Sequence, residues 1–249
     1  MKTINKTKGI ILLLVFLFIT NCTSSNINEC DKNSSIDIGY DSCLFIEDLG
    51  TVNNQKETIT TIIKETLTLI NTKMNITDLR FKVQLSPQNV IPEIGIGGFN
   101  PNENEIIISL NSNFSNLTNS ILIELPPLVA HEVHHANRRR SVGYGSTLLE
   151  ACITEGLADS FSIELFNIEP PIWSTALNEL ELEQWINTAS NTWNESGYNH
   201  SDWFLGTSTE IPRWTGYSIG FELTQKFLDE NSGKLASNLH DEPANSFIE

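Results

Sequence analysis

The fold of this chain is decided by residues 131–159, which read HEVHHANRRRSVGYGSTLLEACITEGLAD. The stretch opens with the pattern H-E-x-x-H, formed by His131, Glu132 and His135. Residues four apart on an α-helix lie on one face, with Cβ atoms about 5–6 Å apart. Two imidazoles at that spacing can bind one metal ion, while the glutamate between them points at a water on the same ion. The pattern therefore predicts a helix that carries part of a catalytic zinc site.

A catalytic zinc site has three protein ligands and one open position, so a third ligand must come from another segment. Thr147 and Glu150 form a T-x-x-E capping box, which predicts that a second helix begins directly after the first. On that helix Glu155 has the chemistry of the third ligand. Asp159, one turn later, can accept the free ring N–H of a ligand histidine. Glu132 is then the general base.

Other residues near the motif are expected to have ordinary structural roles. His134 projects about 100° away from His135 on the helix, which favours a solvated histidine or one at the edge of the core. The run Arg138-Arg139-Arg140 ends the motif helix, where cations interact favourably with the helix dipole and aid solubility. Cys152 lies in an apolar helical pattern and is expected to be a small buried residue.

The segments before the motif predict a small sheet and one helix. Residues 55–74 have apolar side chains at helical spacing, and residues 79–85 alternate as a strand does. Glycines and an Asn-Pro-Asn turn divide residues 92–111 into two short extended pieces, most simply a hairpin. The second piece, Ile106 to Leu110, is a candidate for an edge strand that holds an extended substrate. An ordinary core strand is the alternative.

The segments around and after the motif predict helices. Pro126 and Pro127 fit before or within the first turn of the motif helix, which we expect over residues 128–139. A helix is expected after Thr147, a weakly helical segment over residues 172–195, and another helix over residues 217–230. The predicted fold class is therefore α+β, with a small N-terminal sheet packed on the active-site helix and a mainly helical C-terminal part.

The N-terminus predicts export and a lipid anchor. Three lysines precede a continuous apolar run over residues 10–19, which is too short to span a membrane comfortably but suits a signal peptide. The run ends in Ile19-Thr20-Asn21-Cys22, which resembles the lipobox of bacterial lipoproteins, where the cysteine is acylated. The alternative is a plain secretory signal. We expect residues 1–21 to be the signal peptide, 22–45 a tether and 46–249 the metallopeptidase domain.

Charge and cysteines limit the partners and the compartment. The net charge is −16, which makes nucleic acid an unexpected partner, since binding it needs a clustered basic surface. Cys30 and Cys43 can form a disulfide in an oxidising periplasm, although sequence alone leaves that pairing open. With lipid on Cys22, we expect a membrane of the bacterial cell envelope, the outer before the inner, with the protein facing the periplasm or the exterior.

Three blocks of sequence carry a resemblance to known metallopeptidases. The H-E-x-x-H and E-x-x-x-D patterns, with nineteen residues between His135 and Glu155, resemble the gluzincins. Residues 130–138 (AHEVHHANR), 147–159 (TLLEACITEGLAD) and 203–223 (WFLG…IPRWTGYSIGFEL) are similar to a bacterial family of predicted zinc-dependent proteases of otherwise unknown function. The resemblance covers roughly residues 55–249 and implies a zincin-like fold, a Zn²⁺ cofactor and a peptidase. It also implies His131, His135 and Glu155 as ligands, Glu132 as base and Asp159 as their supporting acid.

The third block contains candidates for a donor to the oxyanion that develops during hydrolysis. Tyr217, which opens a helix after a glycine, is the first candidate, and Arg213 and His200 are alternatives. A packing aromatic with a hydrogen-bonded hydroxyl is the other interpretation of Tyr217.

Three functions are compatible with these residues. The first is a lipid-anchored zinc metallopeptidase that acts on a peptide or protein substrate. The second is a zinc-bearing surface lipoprotein that binds a partner without catalysis, which the intact Glu132 disfavours because a purely structural zinc site is closed and needs no base. The third is a zinc hydrolase of a non-peptide amide, which would use the same residues.

Overall fold

The computed structural model describes Cys30 and residues 34–248 of the chain. The predicted signal peptide, residues 1–21, and the lipid site at Cys22 lie outside the described residues, so the anchor and the location stay predictions. The fold is α+β with the sheet on the N-terminal side and helices after it, as predicted. Within the described part of the chain, no helix has both the length and the apolar character needed to cross a membrane.

A five-stranded sheet precedes the helical part of the chain. The strands are β1 (Ile36–Gly39), β2 (Ser42–Ile46), β3 (Arg80–Leu85), β4 (Ile96–Phe99) and β5 (Glu105–Leu110). The helices are α1 (Lys56–Ile70), α2 (Leu117–Ile123), α3 (Leu125–Arg139), α4 (Leu148–Phe166), α5 (Glu179–Ser190) and α6 (Thr215–Glu230). The strand order is β1-β2-β3-β5-β4, with the three inner strands parallel and the two edge strands antiparallel to their neighbours.

The hairpin of β4 and β5 is confirmed, but the predicted edge strand is wrong. Ile106–Leu110 lies inside the sheet between β3 and β4, so the alternative of a core strand is correct. The edge strand is β4, whose sequence IGGF has too little strand propensity to be recognised from pattern alone. The strand that borders the motif helix is therefore the glycine-rich one.

The predicted tether is also too long. Residues 36–45 form β1 and most of β2, and Leu44 is fully buried. Tyr40 and Asp41 both have positive φ angles, 58° and 53°, which is the backbone of a tight type I′ hairpin turn. Strands of four and five residues are too short to give a clear periodic signal. Cys30 and Cys43 form a disulfide that ties the chain ahead of β1 to β2.

The helix α4 is the centre of the helical part. Every residue from Leu148 to Ser162 is buried except Glu150, so α4 is enclosed on all sides rather than amphipathic. The predicted capping box is confirmed, since Thr147 and Glu150 each accept a backbone N–H from the other. The motif helix α3 packs against one side of α4 and begins at Leu125, with both prolines in its first turn.

The other side of α4 meets α6 through two glycines. A side chain at Gly156 would overlap the carbonyl of Gly220, and a side chain at Gly220 would overlap the carbonyl of Cys152. The two helices therefore approach as closely as their backbones allow. This contact fixes the position of Tyr217, in the first turn of α6, relative to Glu155 on α4.

The prediction that the arginine run serves the helix dipole and solubility is wrong for Arg138. Its side chain is buried and donates to the Thr154 hydroxyl at 2.9 Å and to the Glu242 carbonyl at 2.9 Å. Arg139 likewise donates to the Asn100 side chain at 2.6 Å. The reason is that segments distant in sequence bring carbonyl groups to the end of α3, and these groups need donors.

Candidate metal centre

Three side chains from two helices converge on one point. The His131 Nε2 atom lies 3.1 Å from Glu155 Oε2, and His135 Nε2 lies 3.3 Å from the same oxygen. Candidate ligand atoms of the three residues all lie within 4.8 Å of one another. Each side chain is at most 10% exposed. The structure thus brings together the three residues predicted as ligands, although their role as ligands stays a prediction.

The chemistry of these three side chains fits a divalent metal. Burial alone would raise the pKa of the Glu155 carboxyl, yet His135 and His131 hold that pKa well below its usual value. Burial would lower the pKa of His131, yet Asp159 and Glu155 hold it well above its usual value. The Glu155 carboxylate thus favours a positive charge next to it in a buried site. A bound metal cation would provide that charge, and the two imidazoles would then bind it in their neutral form. Two histidines and one carboxylate are a common ligand set of catalytic zinc.

Glu132 lies beside this cluster without a hydrogen-bond partner. Its side chain is buried, and its Oε2 atom has no partner among the described residues. Burial raises the pKa of the Glu132 carboxyl, an effect that His135 and His131 oppose. The backbone of Gly98 on β4 packs directly on the carboxylate, and any side chain at Gly98 would overlap it. A buried, unpaired carboxylate is costly, so its retention calls for a function.

Asp159 accepts hydrogen bonds from three directions. The His131 Nδ1 atom lies 2.8 Å from Asp159 Oδ1, so the ligand histidine that Asp159 contacts is His131. The Trp173 indole N–H donates to Oδ2 at 3.0 Å, and the Ser174 hydroxyl donates to the same oxygen at 2.5 Å. Neither Trp173 nor Ser174 was recognised from the sequence as part of the site. These donors fix the carboxylate that in turn orients the ring of His131.

Tyr144 is a residue of the site that the sequence analysis missed. Its hydroxyl donates to Glu155 Oε1 at 2.5 Å, which leaves the other carboxylate oxygen facing the histidines. The Arg139 guanidinium lies 4.9 Å above the tyrosine ring and holds it in place. Burial, followed by the charge of Glu155, raises the pKa of the Tyr144 hydroxyl well above its usual value. Tyr144 lies between α3 and α4, outside any periodic segment, and no sequence pattern pointed to it.

The three candidate oxyanion donors differ in their hydrogen-bond and ion-pair partners. Tyr217 lines the groove together with His131 and Glu132, and its hydroxyl makes no hydrogen bond within the described residues. Arg213 is paired with Glu93 at 2.7 Å. The His200 Nδ1 atom lies 3.1 Å from the Tyr198 hydroxyl, and its ring stacks on Phe204. The geometry therefore favours Tyr217 as the oxyanion donor, a role that stays a prediction.

His134, which was not predicted to be a ligand, lies outside the cluster. His134 is fully buried, rather than solvated or at the edge of the core, and its Nε2 atom lies 3.3 Å from the Ala236 carbonyl. Cys152 is buried and free, as predicted. Both residues have packing roles.

The cluster lies at the side of a groove with a volume of about 1240 Å³. It is lined by residues of β4 and of the segment before it, by residues 168–173 and by Trp214. Five exposed apolar side chains line it: Phe99, Ile123, Ile168, Ile172 and Leu205. A groove of this size holds a molecule larger than a single amino acid.

Comparison with known proteins identifies the family. A family model described as "Predicted Zn-dependent protease (DUF2268)" matches residues 57–249, which include the whole metal cluster and Tyr217. No curated protein and no solved structure matches the chain. The match covers well over half of the sequence. The chain therefore belongs to this family of predicted Zn-dependent proteases.

Proposed function

We propose that the protein is a zinc metallopeptidase in which Glu132 is the general base. The observation that carries the proposal is the convergence of His131, His135 and Glu155 beside an unpaired, buried Glu132 at a groove. A structural zinc site is closed by its ligands and has no use for such a carboxylate. The family description supports the same class of enzyme.

The residues of the site would divide the chemistry as follows. Bound zinc supplies a Lewis acid and lowers the pKa of a coordinated water from about 15.7 to roughly 7. Glu132 accepts a proton from the attacking water at its carboxylate and passes it to the nitrogen of the leaving amine. The raised pKa of the Glu132 carboxyl suits this exchange, because the same group must both accept and release a proton. The Tyr217 hydroxyl donates a hydrogen bond to the oxyanion.

The edge strand β4 would hold the substrate in extended form. The Gly95 carbonyl accepts a hydrogen bond from the N–H of Asn111, which directly follows β5. The Ile96 carbonyl accepts one from the N–H of Ile91, on the side of β4 that faces away from β5. Backbone groups alternate in direction along an antiparallel strand, so Gly98 also points its N–H and C=O away from β5. Gly98 lines the groove beside Glu132, where its free backbone groups can pair with a peptide.

Metal removal is the first test of this proposal. We expect the purified full-length protein to bind about one zinc per chain and to cleave members of a broad peptide library. Cleavage should stop with a chelator and return with zinc, because the metal supplies the activated water. Zinc binding without cleavage of any peptide would contradict the proposal and favour a binding protein or a hydrolase of another amide. Mass spectrometry of the products and zinc analysis provide the measurements.

Tyr144→Phe tests the support that the tyrosine gives to Glu155. We expect the zinc dissociation constant to rise about 10- to 100-fold, because outer hydrogen bonds hold ligands in place. Tyr198→Phe is the matched control, since the Tyr198 hydroxyl contacts His200 and no predicted ligand. Competition with a chromophoric chelator measures the affinity of both variants. Equal affinities in Tyr144→Phe and the wild type would show that Glu155 needs no such support.

A further inference from the structure

Glu124 is an acidic side chain of the groove that the proposed mechanism does not use. It joins α2 to α3 and lines the groove. It precedes His131 by seven residues, which places it two turns away on the same face of the helix, about 10.5 Å along the axis. An extended peptide advances about 3.3 Å per residue. The distance from His131 to Glu124 therefore equals the length of about three residues of an extended peptide.

The usual structural role of an acid at this position is absent. Glu124 is the N-cap residue of α3, and an N-cap side chain normally accepts the backbone N–H of the second or third helical residue. Those residues are Pro126 and Pro127, which have no N–H. Among the described residues, the Glu124 side chain makes neither a hydrogen bond nor an ion pair. Burial raises the pKa of its carboxyl.

The charged side chains that line the groove favour a bound cation. Arg213 is the sole arginine or lysine that lines it among the residues the structure describes, and Glu93 neutralises it at 2.7 Å. The acids Glu132, Asp159 and Glu169 line the same groove. The apolar side chains of the walls favour a substrate residue with a hydrocarbon stem. Lysine and arginine combine such a stem with a terminal charge.

We propose that Glu124 is a specificity-determining residue that binds the cationic end of a lysine or arginine side chain of the substrate, close to the scissile bond. This proposal rests on the proposed peptidase function. The carboxylate would then receive, from the substrate, the charge-assisted hydrogen bond that its own chain does not supply. Substrates with an acidic residue at the same position would be disfavoured by repulsion.

Matched peptides test the proposal with the zinc-loaded full-length protein. Each of the three positions on either side of the scissile bond would hold lysine, norleucine or glutamate in turn. At one position we expect kcat/KM for lysine to exceed that for norleucine by about 10- to 100-fold, the size of a hydrogen bond to a charged group. Glu124→Gln should bring this ratio close to one, and Glu124→Lys should favour glutamate. Thermal melting would show that both variants fold.

Two control variants separate Glu124 from the general field of the groove. Glu65→Gln, on an exposed face of α1, should leave the ratio unchanged. Glu169→Gln, a change at an exposed acid that also lines the groove, should lower it less than Glu124→Gln does. Cleavage without a lysine preference, a preference that survives in Glu124→Gln, or an equal loss in Glu169→Gln would overturn the proposal while leaving the peptidase intact. Failure of the wild type to cut any peptide would refute the proposed function and this inference with it.

Discussion

Glu132→Gln is expected to lower kcat/KM for peptide cleavage by about 100- to 10,000-fold while the protein keeps its zinc, because this is the range that general acid–base catalysis contributes. Glutamine keeps the shape of the side chain beside Gly98 but cannot accept the proton of the attacking water. The metal should stay, since the convergence of His131, His135 and Glu155 does not involve the Glu132 carboxylate. Steady-state kinetics and zinc analysis of the same sample give both quantities.

Stability provides a second readout for Glu132→Gln. The carboxylate is buried and its Oε2 atom has no partner within residues 34–248 or at Cys30, so a neutral amide should fold at least as stably. A glutamate retained for its chemistry predicts lost activity with equal or higher stability, whereas a structural glutamate predicts the reverse. Glu65→Gln, the same change on an exposed face of α1, should alter neither quantity. Persistent cleavage by a zinc-loaded Glu132→Gln protein would remove Glu132 from the mechanism.

The parts that sequence predicted correctly are those set by local signals. The capping box of Thr147 and Glu150 is formed by residues three apart, so the beginning of α4 could be read directly. Helical periodicity then placed Glu155 and Asp159 on one face of α4, and H-E-x-x-H placed two histidines on one face of α3. The helices face each other because α4 is buried on every side. This explains why the metal cluster could be anticipated before its geometry was known.

The parts that sequence missed depend on contacts between distant segments. Tyr144 reaches Glu155 from a turn, and Trp173 and Ser174 reach Asp159 from beyond the end of α4. Arg138 looked like a surface cation because its acceptor carbonyls come from the C-terminal segment. No periodicity encodes such pairings, since each depends on how complete elements pack. The edge position of β4 was missed for the same reason: strand order is a property of the whole sheet.

The largest effect on stability is expected from Gly220→Ala, which should lower the free energy of unfolding by about 3 kcal/mol, the upper part of the range for overpacked cores. The added methyl group would overlap the carbonyl of Cys152, so α4 and α6 must move apart. Helix propensity alone predicts the opposite sign, because alanine in a helix interior is about 1 kcal/mol better than glycine. A loss of stability would therefore indicate that the backbones of α4 and α6 are in contact, whereas a gain would indicate that helix propensity dominates. Urea unfolding measures it.

Variants on both helices sharpen this test. Glu222→Ala, at an exposed position of α6, should change stability by no more than about 0.5 kcal/mol. Gly156→Ala adds its methyl group at the same crossing, so the double variant should lose less than the sum of the two single losses. The separation of the helices also moves Tyr217 away from Glu155, so activity should fall even where the protein remains folded. A Gly220→Ala protein as stable as the wild type would mean that the two helices do not meet through their backbones, and the position of Tyr217 at the groove would then need another cause.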